Sequence, residues 1–138
     1  MNVLVDTTVW SLALRRRRTS RDPKFGAAVA ELRELVREMR AEIVGPIRQE
    51  LLSGIPDQAK FENLRKDLRA FPDLPLETDD YETAAQFYTL CRRRGVQGSH
   101  IDFLICAVAK RRDLSIFTLD KDFRRYRKLL GFALHAPR

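Results

Sequence analysis

Three carboxylates stand where a solvated surface charge would be out of place. Asp6 closes the apolar run Val3-Leu4-Val5, Asp120 closes Ser115-Ile116-Phe117-Thr118-Leu119, and Asp102 lies between Ile101 and Phe103 in the most apolar helical stretch. In open α/β sheets, ligands bind in the crevice at the carboxyl ends of the strands. Two acids at strand tips and a third at a helix N-terminus would face that crevice together. Like charges so gathered either raise one another's pKa values or require a cation. With oxygen donors only, and no His or Cys spaced to join them, the cation would be a hard one, Mg²⁺ or Mn²⁺. Taken singly, each acid could be no more than a helix cap. Glu50, in the middle of a predicted helix, reads by itself as a solvated glutamate.

The elements that must position these acids follow from the apolar spacing. A buried strand ends at Asp6, Thr7 or Thr8 is placed to cap a short helix over residues 8–14, and residues 15–21 form a basic, exposed loop. Asp22-Pro23 starts a long amphipathic helix reaching to about residue 41, with Phe25, Val29, Leu32, Val36 and Met39 on one face. Residues 42–45 read as a short strand, and Pro46 opens a helix that carries Glu50 and closes at Gly54. A further helix spans 57–71, and residues 74–77 form a weak strand that Pro75 confines to an edge. Thr78 caps a helix over 79–94, with Tyr81, Ala85, Tyr88 and Cys91 on its buried side. Ser99 caps the helix over 100–111, with Asp102 in its first turn. A strand over 114–119, a basic helix over 123–130 and a final strand over 132–135 complete the chain. Strands alternating with helices predict an α/β fold, a parallel sheet with helices on both faces.

At 138 residues the chain fits one domain, residues 1–138, large enough to bury its own core. A hydrophobic fraction of 44% with 33% charged residues fits a soluble globular protein and excludes a membrane-spanning one, since no apolar run approaches about 20 residues. The arginines at 15–18 follow the first apolar stretch, whereas a secretory signal places its charge before it, so a cytoplasmic location is expected. Cys91 and Cys106 lack the spacing of a zinc site and read as reduced core thiols. The 26 Lys and Arg against 19 Asp and Glu leave a net charge of +7, which favours a polyanionic partner such as nucleic acid. Arg15 to Arg18, Arg92 to Arg94, Arg111, Arg112, Arg124, Arg125, Arg127 and Lys128 are the candidates to grip phosphates. Trp10 and Phe103 could stack on bases but read as core, and His100 and His135 have no Ser or Cys partner for a nucleophilic triad.

Four motifs in order carry a family resemblance. They are Val5-Asp6-Thr7-Thr8-Val9-Trp10, Gln49-Glu50-Leu51-Leu52, Asp102-Phe103-Leu104-Ile105-Cys106-Ala107-Val108-Ala109 and Phe117-Thr118-Leu119-Asp120-Lys121-Asp122-Phe123. In these the chain resembles the PIN-domain family, specifically the VapC toxins of type II toxin–antitoxin pairs. The resemblance implies a three-layer α/β/α fold around a parallel sheet of four or five strands. It also implies a Mg²⁺- or Mn²⁺-dependent ribonuclease whose acidic site is Asp6, Glu50, Asp102 and Asp120. In that reading Asp6, Asp102 and Asp120 are metal ligands, Glu50 is a ligand or acts through water, Asp122 matches a variable acidic position, and Thr118 matches a supporting hydroxyl. The carboxylates would hold one or two ions for in-line hydrolysis of a phosphodiester, with Thr7 or Thr8 orienting one of them. The implied partners are an RNA substrate, a VapB-like antitoxin and a second copy of the chain in a homodimer. Two other classes compete. A phosphotransferase of the haloacid dehalogenase type needs a second Asp two residues after Asp6, where Thr8 stands. A non-catalytic RNA- or DNA-binding module with a degenerate acidic site would use the basic surface alone.

Overall fold

Val3, Leu4 and Val5 form β1 (Val3–Val5), and all three are buried because helices cover both faces of the strand. The computed structural model describes residues 1–15 and 22–138. The predicted basic loop over 15–21 lies outside the described residues apart from the backbone of Arg15. Among the described residues four strands pair in parallel in the order β2-β1-β3-β4, where β2 is Ala41–Glu42, β3 is Ser115–Phe117 and β4 is Ala133–Leu134. Val5 stands level with Phe117, so the residues that follow, Asp6 and Thr118, emerge side by side at the middle of the sheet.

Seven α-helices among the described residues form the outer layers of this three-layer α/β/α fold: α1 (Thr7–Trp10), α2 (Pro23–Arg37), α3 (Gly45–Leu52), α4 (Gln58–Leu68), α5 (Thr78–Arg93), α6 (His100–Arg112) and α7 (Asp122–Leu130). A turn of π-helix, Ser11–Arg15, extends α1. Helix α6 is buried from Phe103 to Ala109, the innermost helix, as its apolar sequence requires. Trp10 packs in the core against Phe71 and donates its indole N–H to the Val5 carbonyl at 3.1 Å, while Phe103 packs against Tyr88 and Tyr126. Cys91 and Cys106 are free and buried, and burial pushes both thiols up. No helix among the described residues is long and apolar enough to cross a membrane.

Several expectations are corrected. Residue 78 does not cap α5: Glu77 does, in a reciprocal box with Asp80, because two acids three apart can each take the other's amide. The buried side of α5 is Asp80, Ala84 and Cys91, with Tyr81 and Ala85 outside, because Arg111 and Arg112 on α6 draw Asp80 inward. Helix α2 buries Ala28, Glu31, Leu32 and Leu35, and it ends at Arg37. Met39, read as part of its apolar face, lies beyond that end with φ 58° and is 87% exposed. Residues 74–77 form no strand. Asp73 makes a single parallel bridge to Ile43, and Leu74 donates to the Ile43 carbonyl at 2.8 Å, after which Pro75 has no N–H to continue the ladder. The second strand stops at Glu42, since Val44 already serves as the N-cap of α3.

Candidate active site

The tips of β1 and β3 are tied by the Asp6 amide, which donates to the Phe117 carbonyl at 2.9 Å. Asp6, not Thr7 or Thr8, is the N-cap residue of α1, with the extended backbone of that position, yet its side chain makes no capping bond. The carboxylate turns to hydroxyls instead. Thr118 Oγ1 donates to Asp6 Oδ2 at 2.7 Å, and Thr8 Oγ1 donates to the same oxygen at 3.0 Å. Both threonines are also fixed by backbone: Thr118 Oγ1 accepts the Asp120 amide and Thr8 Oγ1 the Leu119 amide, each at 3.0 Å. Asp6 is 5% exposed. Burial pushes its pKa up, the hydroxyls of Thr118 and Thr8 pull the other way, and the charge of Asp102 adds to the rise.

Asp102 enters from α6. Ser99 accepts its amide at 3.1 Å and donates its own amide to Asp102 Oδ2 at 3.4 Å, a capping box that fixes the carboxylate at the helix N-terminus. The Tyr126 hydroxyl donates to the same oxygen at 3.0 Å. Tyr126 is the residue that sequence reasoning missed. Burial and then the charge of Asp102 push its phenol up, with Asp122 and Asp120 adding to the effect, which places the three acids in one electrostatic neighbourhood. Its spacing from Phe123 and Leu130 marks it as core, and the only signal in the sequence was a hydroxyl in an apolar stripe that must find a partner. Asp120 accepts the Asp122 amide at 2.9 Å, so Asp122 belongs to the same turn.

Glu50 lies to one side, exposed on α3, and its link to the others is Thr7, whose hydroxyl donates to Glu50 Oε1 at 3.0 Å. A cavity of about 480 Å³ opens there, lined by Thr7, Ser11, Gln49, Glu50 and Ile101 among others. His100 stacks on Tyr88, and His135 bonds Glu31, so neither joins the acids.

Among the described residues the charges of these acids are not neutralised by a cationic side chain. Glu31, Glu38, Glu62, Asp73 and Asp80 each meet an arginine. Among the described residues no ion pair reaches Asp6, Glu50, Asp102, Asp120 or Asp122. Nor do three His, Cys, Asp or Glu side chains among the described residues close on a common point that could hold a metal ion. The acids therefore share a neighbourhood without forming a finished cage. Their donor chemistry still fits a hard divalent cation: oxygen ligands only, one of them a buried carboxylate whose raised pKa a positive ion would lower.

The family model of the PIN domain matches residues 3–129, so this chain belongs to the PIN-domain family. Solved structures share its fold. FitAcB from Neisseria gonorrhoeae aligns with a TM-score of 0.76 and 22% identity, covering 98% of this chain and 97% of that one. DNA-bound VapBC from Salmonella typhimurium aligns at 0.71 and 17% identity, covering 98% and 97%. VapBC2 from Rickettsia felis, bound to a DNA fragment from its promoter, aligns at 0.71 and 14% identity, covering 98% of each chain. No curated protein matches the sequence.

Proposed function

We propose that this chain is a metal-dependent endoribonuclease, the toxin of a VapBC-type toxin–antitoxin pair. Membership of the PIN-domain family and a fold shared with VapBC and FitAcB structures support the class. The observation that carries the chemistry is Asp6: a nearly buried carboxylate in a chain of net charge +7, held by two neutral hydroxyls, with a second carboxylate in its field and no cation beside it among the described residues.

In this reading Asp6, Asp102 and Asp120 would hold Mg²⁺ or Mn²⁺, and Glu50 would take part directly or through water. A divalent ion, when bound, supplies Lewis-acid stabilisation of the charge that develops on the phosphodiester and activates water as the nucleophile. The chain's own residues prepare the site. Thr118 and Thr8 aim Asp6 and leave its Oδ1 clear of their bonds, Tyr126 and Ser99 do the same for Asp102, and Thr7 turns Glu50 toward the strand tips. An antitoxin neutralises the enzyme by covering the acidic site, and an arginine of that partner supplies the cation the acids lack. The chain works in the cytoplasm as a homodimer paired through its N-terminal helices.

The test is cleavage of a labelled structured RNA by antitoxin-free protein with Mg²⁺, Mn²⁺ or EDTA, beside Asp102→Asn. Cleavage that needs metal and vanishes in the variant is the expected result; metal-independent cleavage, or full activity in the variant, removes the acids from the chemistry. The open spacing of the acids favours one alternative, a binding module that holds RNA or DNA without cutting it. That protein would bind the same RNA and leave it intact under every metal condition.

A further inference from the structure

Beside the acidic centre, on its β4 side, lies a second cavity of about 320 Å³ between α2, the ends of β3 and β4, and α7. Thr118 and Asp120 form its near wall, and Lys24, Lys121, Arg124 and Arg127 also line it. All four cations are exposed, and among the described residues none has an ion pair or a side-chain hydrogen bond. That sets them apart from Arg37, Arg40, Arg48, Arg65, Arg111, Arg112 and Arg138, each held by at least one carboxylate. Helix α7 makes a further distinction: Arg124 and Arg127, three residues apart, line the cavity, whereas Arg125 and Lys128 on the same helix do not.

From this geometry we infer that the cavity is a phosphate subsite for the RNA strand, holding the backbone of nucleotides next to the scissile bond on the β4 side of the acids. The inference rests on the nuclease reading for its substrate. Four unpaired cations around one concave site suit successive phosphates of a polyanion, and the two guanidiniums offer paired N–H donors to phosphate oxygens. Its volume falls in the range of small-ligand sites. Because Thr118 and Asp120 belong to both the cavity and the acidic centre, a strand with one phosphate at the acids runs into the cavity without leaving the surface. An acidic protein segment would meet the same cations, but only a phosphate strand has, in the nuclease reading, a divalent ion to carry it on to the carboxylates.

The experiment compares two double variants with equal loss of charge, Arg124→Ala with Arg127→Ala and Arg125→Ala with Lys128→Ala, in the full chain. Binding of a fluorescent single-stranded RNA is followed in Ca²⁺ across a salt series, cleavage is followed in Mg²⁺, and poly-L-glutamate serves as the rival probe. The cavity pair is expected to weaken RNA binding about tenfold or more and to flatten the plot of log K against log salt by about 1.4, from 0.7 per phosphate contact on single strands. The outer pair is expected to change both far less. Equal effects of the two pairs reduce the cavity to general electrostatics and overturn the subsite. So does a loss of poly-L-glutamate binding with RNA binding and cleavage intact, which assigns the cavity to an acidic protein. RNA that binds through the cavity but is never cut keeps the subsite and defeats the nuclease reading, while undiminished cleavage by the cavity pair does the reverse. Thermal melting in parallel identifies a variant that has lost its fold, and single replacement of Arg124 or Arg127 by Gln then carries the comparison.

Discussion

At the scale of single residues, Asp6 and Thr118 make the sharpest contrast with the rest of the chain. Thr118 is both a donor to a buried carboxylate and an acceptor from the Asp120 amide, so one hydroxyl sets the position of two acids. Thr118→Val keeps the shape and removes both bonds. Metal affinity and cleavage are expected to fall together by about 10- to 100-fold, the range found when the supports of metal ligands are removed. Calorimetric titration with Mn²⁺ checks the first and RNA cleavage the second; unchanged values for both would mean that Thr118 supports nothing. Tyr126 acts on Asp102 in the same way, and its surroundings are tight. A Cβ at Gly98 would lie 2.5 Å from the Tyr126 hydroxyl and 2.8 Å from its ring carbon Cζ. Gly98→Ala must therefore displace the tyrosine or the loop, and the strain is expected to cost about 1–3 kcal/mol. Tyr126→Phe, which leaves the ring in place, is expected to keep more stability than Gly98→Ala while still losing cleavage. A Tyr126→Phe enzyme as active as the wild type would show that Asp102 needs only its capping box.

At the scale of elements, α5 and α6 are joined by charge as much as by apolar packing. Asp80, fully buried on α5, bonds Arg111 at 2.5 Å and Arg112 at 2.9 Å on α6. Burial alone would raise its pKa, but the Glu77 amide and the two guanidiniums outweigh it and hold the carboxyl below its usual range. Asp80→Asn removes the buried anion of two arginines, which keep only the exposed carboxylates of Glu77 and Asp79, and is expected to lower stability by about 3 kcal/mol, or roughly 10 °C in Tm at this chain length. A group with a depressed folded pKa contributes its stability above the unfolded value, about 3.9, and loses it as pH falls through the folded one. The difference between wild type and Asp80→Asn in urea unfolding should therefore hold at pH 7 and shrink below about pH 4. A difference that persists in acid would mean the pair is not the cause. This interface also shows what the sequence made legible. Parallel strands, the Asp22-Pro23 start of α2 and the Ser99 cap follow from local patterns of apolar residues and turn chemistry, and the fold bears them out. Asp6 directly follows β1 and Asp102 lies in the first turn of α6, whereas β3 ends at Phe117, short of the expected residue 119, and leaves Asp120 in the turn before α7. Asp80 does not follow, because its place inside depends on arginines more than thirty residues away and a local rule puts an acid in water. Tyr126 was hidden for the converse reason: its apolar body obeys the core pattern, and its hydroxyl partner comes from another helix. Glu50 depended on family resemblance, and the structure leaves it exposed at the margin of the other acids.

At the scale of the whole molecule, the charge is divided between an acidic centre that no ion pair reaches among the described residues and a basic surface. RNA binding should weaken steeply with salt, since every phosphate contact releases counterions, whereas buried Asp6 should feel salt little. Metal-free protein should also carry two opposite responses to acid. Asp80 loses stability as pH falls; Asp6, whose folded pKa is raised, costs stability once pH exceeds its unfolded value and gives it back on acidification. The proposed role of Asp6 in holding a divalent cation is tested by thermal melting with Mn²⁺ or EDTA, with wild type beside Asp6→Asn at pH 7. Wild type should melt higher in Mn²⁺, by the free energy of binding the folded state alone, about 2.7 kcal/mol at a hundredfold excess over Kd. Asp6→Asn, relieved of a buried charge, should melt at least as high as wild type in EDTA and gain nothing from Mn²⁺. An equal Mn²⁺ shift in both proteins, or none in either, would contradict the account and leave the buried carboxylate a matter of folding alone.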